Sequence, residues 1–230
     1  MSPKKKSTLS KEDTRHQLLM AGERLFAKHG IDAVSLRQVN VEAGQKNSSA
    51  SHYHFGSKEG LIRAIFDYRM ERVNKRRHER LDQLDRHQAT DHIRSLIGAL
   101  VYPIVEEMFA EDGQYYIQCN AQATSHPSNF VSTLGDSEFA TGLQRIVVAL
   151  KDALPDLPDM IVAQRFGLAL DQTIHALADQ INLMPRSGTI DENTASIFAS
   201  NLVDMIAGGL AAPMSRETQN ELLAGKRKKA

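Results

Sequence analysis

Residues 34 to 61, VSLRQVNVEAGQKNSSASHYHFGSKEGL, constrain this chain more than any other stretch, because they compress two short helices and the start of a third into one span. Ser35 is a good N-cap with Gln38 in the capping-box position, and Val34 and Val39 stand where a hydrophobic staple closes a helix entry. A helix is therefore expected from about Leu36. Leu36, Val39 and Ala43 line one face of it, and Gly44 can take the left-handed conformation that stops it. After Gln45 and Lys46, Asn47 or Ser48 can cap a second short helix running to about His54, and Ser57 can cap a third. Two short helices joined by a tight glycine turn make a helix-turn-helix, whose second helix lies in a DNA major groove.

The face of that second helix suits the use. Ser48, Ser49, Ser51, His52, Tyr53 and His54 offer hydroxyl and imidazole groups with the reach for base edges and phosphates, and no carboxylate stands among them. Lys58 falls in the first turn of the third helix, beside free backbone N–H groups, a combination suited to holding a phosphate. A polar surface helix remains the bland alternative for the motif alone.

At these residues the sequence resembles the tetracycline-repressor family of bacterial transcription regulators. The family pattern is an apolar helix ending in Gly, then Ser or Thr, an aliphatic-Ala pair, Ala-Gly, the recognition helix, an aromatic run ending in Phe, and Lys-Glu-x-Leu. Here it reads Gly30, Ser35, Val39-Asn40, Ala43-Gly44, Tyr53-His54-Phe55 and Lys58-Glu59-Gly60-Leu61. Three departures stand out. One extra residue lies between Gly44 and Phe55, Asn40 replaces a small Ala, and Ser51-His52 replace Leu-Tyr. The resemblance implies a homodimer that binds double-stranded DNA at a palindromic operator and answers to a small-molecule effector in the cytoplasm. It implies DNA contacts from Ser35, Arg37, Lys46, Asn47, Ser48, Ser49, Ser51, His52, Tyr53, His54 and Lys58, with Arg37 at a family position that reaches a base edge.

Charge gives independent support. The formal net charge is zero, yet residues 1 to 80 carry 17 Lys and Arg against 9 Asp and Glu, and the remainder carries 11 against 19. A basic N-terminal part on an acidic body is the layout of a polyanion-binding head whose body avoids DNA. Cys119 is the single cysteine, so no intrachain disulfide forms and the cytosol is the expected compartment. No membrane-spanning segment and no secretory signal are read from the sequence.

Along the chain, a basic arm over Ser2 to Ser10 precedes an amphipathic helix from about Lys11 to His29. Ser57 opens a long basic helix whose arginines are expected to form a solvated face paired with Glu71, Glu79 and Asp82. Thr90 to Gly113 keeps perfect helical spacing, with Pro103 inside it and a kink or break expected near Leu100 to Tyr102. Further helices are expected over about 115–123, 137–154, 159–183 and 191–211, with Pro127 to Gly135 a loop and a Thr189 to Glu192 capping box. The tail from Gly225 is expected outside any element. No strand pattern persists, so the expected class is all-α, with about nine helices: a helix-turn-helix domain over residues 1–60 and a ligand-sensing and dimerisation domain over 61–230. The last two of these helices read as a hairpin which, by the resemblance, pairs with its mate across a two-fold axis.

Large and polarisable groups gather on the middle helices. Tyr102, Met108, Phe109, Tyr115, Tyr116, Cys119, Phe130, Phe139, Phe166 and His175 are the expected walls of a largely apolar effector pocket. Enzymatic motifs are missing: no His-Glu-x-x-His, no Gly-x-Ser-x-Gly and no phosphate-binding glycine loop occurs. His52 and His54, two apart on a helix, point nearly opposite ways and cannot chelate one metal ion. No cofactor or metal is expected. The alternatives to a ligand-responsive repressor are a constitutive DNA-binding dimer and, more remotely, a helical enzyme.

Overall fold

Side-chain caps set where the helices begin in the computed structural model, which describes residues 10–87, 92–125, 140–183 and 191–227. Helix α1 (Lys11–His29) starts at a capping box in which Ser10 and Asp13 bond each other's backbone N–H, and it stops at Gly30 with φ 85°. Helix α2 (Leu36–Glu42) has the expected Ser35–Gln38 box, with Val34 and Val39 buried beside it. Helix α3 (Ala50–Phe55) begins later than a cap at Asn47 or Ser48 would give. Ser49 is its N-cap without a side-chain bond, and the Asn47 Oδ1 accepts the Ser49 N–H ahead of the helix instead of capping it. Ser57 caps α4 (Lys58–His87), its Oγ accepting the Gly60 N–H at 3.1 Å.

The rest of the chain forms α5 (His92–Met108), α6 (Gly113–Thr124), α7 (Thr141–Ala153), α8 (Asp159–Leu183), α9 (Glu192–Ala211) and α10 (Arg216–Arg227). The fold is all-α, with ten helices and no strand among the described residues. Pro103 sits inside an unbroken α5. That helix nevertheless ends at Met108 rather than Gly113, because Asp112 turns the chain with φ 58° and Gly113 lies under the Glu107 carbonyl, 1.7 Å from where a Cβ would stand. Asp191, not Thr189, caps α9 by accepting the Thr194 N–H at 2.9 Å. The tenth helix was not expected; Ser215 starts it by accepting the Thr218 N–H at 3.2 Å. Thr189, the Pro127 to Gly135 loop and the expected helix start at Ser137 lie outside the described residues.

Helix α5 is the centre of the packing. It touches α4, α6, α7, α8 and α9 and buries Leu96, Ile97, Leu100, Val101 and Ile104. The N-terminal helices share the same continuous core through Leu18, Phe26, Val39, Leu61 and Ile65. Helix α1 also packs along α6, so the N-terminal helices are seated on the body rather than tethered to it. Helix α9 is long and apolar enough by length and composition to cross a membrane; here one face, with Ala199, Leu202, Val203 and Ile206, is buried against the bundle.

Candidate functional site

The helix-turn-helix is fixed by one buried amide. Asn40, on α2, donates its Nδ2 to the Ser48 carbonyl at 2.6 Å, and its Oδ1 accepts the Ser51 N–H at 2.8 Å and the Ser51 hydroxyl at 2.7 Å. Asn40 and Ser51 are 1% and 0% exposed, so these bonds form out of water, where an unmade one is costly. Two departures from the family pattern are thus partners of each other, and the third, the lengthened turn, is held by the same amide. Gly44, at φ 66°, supplies the left-handed turn between them.

This geometry corrects one expected DNA contact. Ser51 faces inward and spends its hydroxyl on Asn40, so it cannot reach a base edge. Ser35, Arg37, Lys46, Asn47, Ser48, Ser49, His52 and Tyr53 are exposed, with Tyr53 at 69%. His54 is half-buried, and burial, then Lys11 and Arg15, push its imidazole below the usual value. Lys58 is also half-buried; its Nζ donates to the Asp32 carbonyl at 3.4 Å, which ties the first turn of α4 to the loop leading into α2.

Sequence reasoning missed two cations at this surface. The Lys11 Nζ lies 5.0 Å from the Tyr53 ring centre, and the Arg15 guanidinium lies 5.4 Å from that of Phe55. Both residues are exposed and one turn apart on α1, so the carboxylate-free face of α3 continues onto a basic edge. Their i, i+4 spacing was the available signal, but nothing local says that α1 passes beside α3.

Two of the α4 arginines, Arg69 and Arg77, are buried, and Arg72, Arg76 and Arg80 turn their charges to acids of α5. Arg69, 1% exposed, grips Glu23 of α1 with Nε and Nη2 at 2.8 and 2.6 Å, and its Nη1 lies 3.5 Å from Glu107 of α5. Arg72 and Arg76 reach Glu107 at 2.8 Å, and Arg76 and Arg80 reach Glu106. Burial pushes the Glu23 carboxyl up despite the opposing pull of Arg69. These pairs join the N-terminal helices, the long helix and the centre of the body. Of the expected acidic partners only Asp82 is used this way among the described residues, and by Arg145 of α7.

Among the described residues, the expected pocket residues stand in different surroundings. Tyr102 and Phe109 stand with Val105, Glu192 and Ala199 in a cleft of about 510 Å³ between α5 and α9. His175 belongs to a different, polar cleft of about 450 Å³ between α1, α6 and α8, with Asp32, Gln118, Asp179 and Asn182. Tyr115 lies under the Lys28 ammonium, 5.1 Å from its ring centre. Met108, Tyr116, Cys119 and Phe166 are buried, and burial pushes the Cys119 thiol up from its ordinary value. Phe130 and Phe139 lie outside the described residues. Helical spacing gives the inward face of each helix but not which neighbour it meets.

Two family models match the chain. One, for bacterial regulatory proteins of the tetR family, covers residues 18–65, and the other, for the tetracyclin repressor-like C-terminal domain, covers residues 98–209. Together they span well over half of the sequence. Among solved structures, NalD, the secondary repressor of the MexAB-OprM multidrug efflux pump in Pseudomonas aeruginosa, is 18% identical over 87% of this chain and 98% of its own, with a TM-score of 0.58. PfmR from Thermus thermophilus is 19% identical over 84% and 98%, with a TM-score of 0.51. AmtR of Mycobacterium smegmatis is 14% identical over 93% and 92%, with a TM-score of 0.51. At such identities the likeness is one of fold. No curated protein matches the sequence.

Proposed function

Because this chain belongs to the tetR family of bacterial regulatory proteins, we propose that it is a homodimeric, cytoplasmic repressor released from a palindromic operator by a small effector. Residues 1–60 are the DNA-binding part and 61–230 the sensing and dimerising part, with α4 running unbroken through that boundary as the lever between them. The observation that carries the DNA reading is the α3 surface. His52 and Tyr53 are exposed on a face without carboxylates, and Lys11, Arg15 and Arg37 stand exposed on the helices beside it.

Dimerisation uses α8 and α9. Leu168, Ile197 and Met205 expose 67%, 63% and 55% of their surface, and Gly167, Gly208 and Gly209 have open space where a side chain would stand. Close approach of a second copy is the arrangement that makes use of both features. It also covers the outward face of α9, which accounts for the apolar character of that helix without a membrane.

The experiment is operator selection from random DNA followed by titration of variants. Arg37→Ala should lose about 1–3 kcal/mol and relax the preference at one base pair, whereas Lys58→Ala should weaken all sequences and lower the salt slope by about one. Equal losses on operator and random DNA for Arg37→Ala would remove its role in base reading. The selected site should be a palindrome with half-sites about one helical turn or slightly more apart. Coupling is reciprocal, so an effector that weakens operator binding must itself bind more weakly when operator is present. One effector affinity with and without operator favours the constitutive dimer.

A further inference from the structure

Among the arginines of α4 that turn inward, one has no counter-ion among the described residues. Arg77 is 1% exposed, and neither its Nε nor its Nη1 has a hydrogen-bond partner there. The neighbouring acids are committed elsewhere: Glu23 to Arg69, Glu107 to Arg69, Arg72 and Arg76, Glu106 to Arg76 and Arg80, and Asp82 and Asp85 to Arg145. A guanidinium keeps its proton under physiological conditions. Burial lowers the Arg77 value only to about 10. A permanent buried charge with idle donors is strongly unfavourable unless an anion completes it.

The surroundings say what kind of anion fits. The stem of Arg77 runs against the first turn of α7, its Cδ 2.9 Å from where a Gly142 Cβ would stand, so any side chain at Gly142 would close the approach. Ala140 caps α7 without a side-chain bond, and Asn74 occupies the Gly142 N–H at 2.9 Å. Two turns before Arg77 on the same face of α4, Met70 takes the hydroxyl of the fully buried Tyr116 at 3.3 Å. A thioether is a poor acceptor, so that hydroxyl would exchange it for a carboxylate oxygen. The Tyr116 ring is itself packed edge-on against Phe66 at 6.1 Å. A single cation with a planar fork and one phenol hydroxyl, set in an apolar core, fit a singly charged planar oxyanion on an apolar body better than a phosphate.

We propose that Arg77 anchors the carboxylate of the effector, an organic monocarboxylate with an apolar body, bound between α4, α6 and the start of α7 with Tyr116 as the second donor. This rests on the effector-responsive reading above, but not on the DNA contacts assigned there.

The test uses the full chain without DNA. Calorimetry and thermal unfolding compare a panel of linear four- to ten-carbon and aromatic monocarboxylates with their neutral amides and with inorganic phosphate. At least one carboxylate should bind one per protomer, about tenfold or more tighter than its amide, and raise the melting temperature, while phosphate has no effect. Arg77→Met should raise the melting temperature of the unliganded protein, since it removes an unpaired charge, and should abolish the preference for acid over amide. Arg77→Lys should keep part of that preference and guards against a folding defect in the first variant. Equal binding of acid and amide across the panel overturns the proposal. So does a fall in melting temperature for Arg77→Met that Asp136→Asn or Glu138→Gln reproduces, because a carboxylate of the chain itself would then be the partner. Operator binding measured on the same preparations separates the two readings. Selective operator binding with acid and amide alike sinks the anchor alone, whereas Arg77-dependent carboxylate binding that leaves operator affinity unchanged keeps the anchor and sinks the release mechanism.

Discussion

Arg69→Met should be among the most destabilising single changes in the chain, and its cost should depend on pH in a defined direction. The substitution leaves the Glu23 carboxylate, 0% exposed, without the two N–H donors that hold it at 2.8 and 2.6 Å. Breaking a buried pair from one side costs about 3–5 kcal/mol. For a chain of this size each kcal/mol shifts the melting temperature by about 2–4 °C, so a fall of about 6–20 °C is expected at neutral pH. Glu23→Gln should cost less, because Arg69 keeps Glu107 at 3.5 Å and the Glu111 carbonyl at 3.4 Å. Burial already raises the Glu23 pKa, and losing Arg69 raises it further. A carboxyl whose folded pKa lies above its unfolded value is a burden above that pKa and is relieved as protons bind. The Arg69→Met defect should therefore be full at about pH 8 and shrink towards about pH 5. Replacing both partners by Met should restore most of the loss. Circular dichroism melts at fixed protein concentration, completed as a double-mutant cycle, measure all of this. A loss under about 1 kcal/mol, or a defect that grows on acidification, would mean that water reaches the pair and that the argument from burial is wrong.

Asn40→Ala should cost about 1–3 kcal/mol by stranding the buried Ser51 N–H, and it should reduce selective DNA binding more than non-selective binding because α3 loses its seat; unchanged selectivity would refute the amide's role. Gly60→Ala places a Cβ 2.0 Å from the Phe55 carbonyl oxygen and should cost about 1–3 kcal/mol or more in a denaturant melt, with a neutral result showing that the α3–α4 corner yields easily. His54 has a folded pKa below its unfolded value, so it burdens the fold increasingly as pH falls through that range. Phosphate brought beside it would raise the value again, so DNA affinity should rise as pH drops from about 8 to about 6. A His54→Gln protein with the same pH slope would place the proton elsewhere.

The local grammar of the chain was written in its residues. Ser35 and Gln38 close the α2 box, Gly44 makes the turn, Ser57 starts α4, and the apolar spacing of α5 predicts its inward face, because capping and helical period depend on neighbours three or four residues away. The charge division between the two ends of the chain is likewise a property of composition. What needed tertiary structure is everything settled by residues far apart in sequence. Asn40 and Ser51 read as two separate departures from a family pattern until the packing of α2 on α3 made them partners. The α4 arginines read as a surface face until α1 and α5 brought Glu23, Glu106 and Glu107 against them. The pocket residues divide among different neighbours for the same reason. Spacing along one helix fixes the side that turns inward, while the side chains it meets there depend on how the helices cross, which no short stretch of sequence encodes.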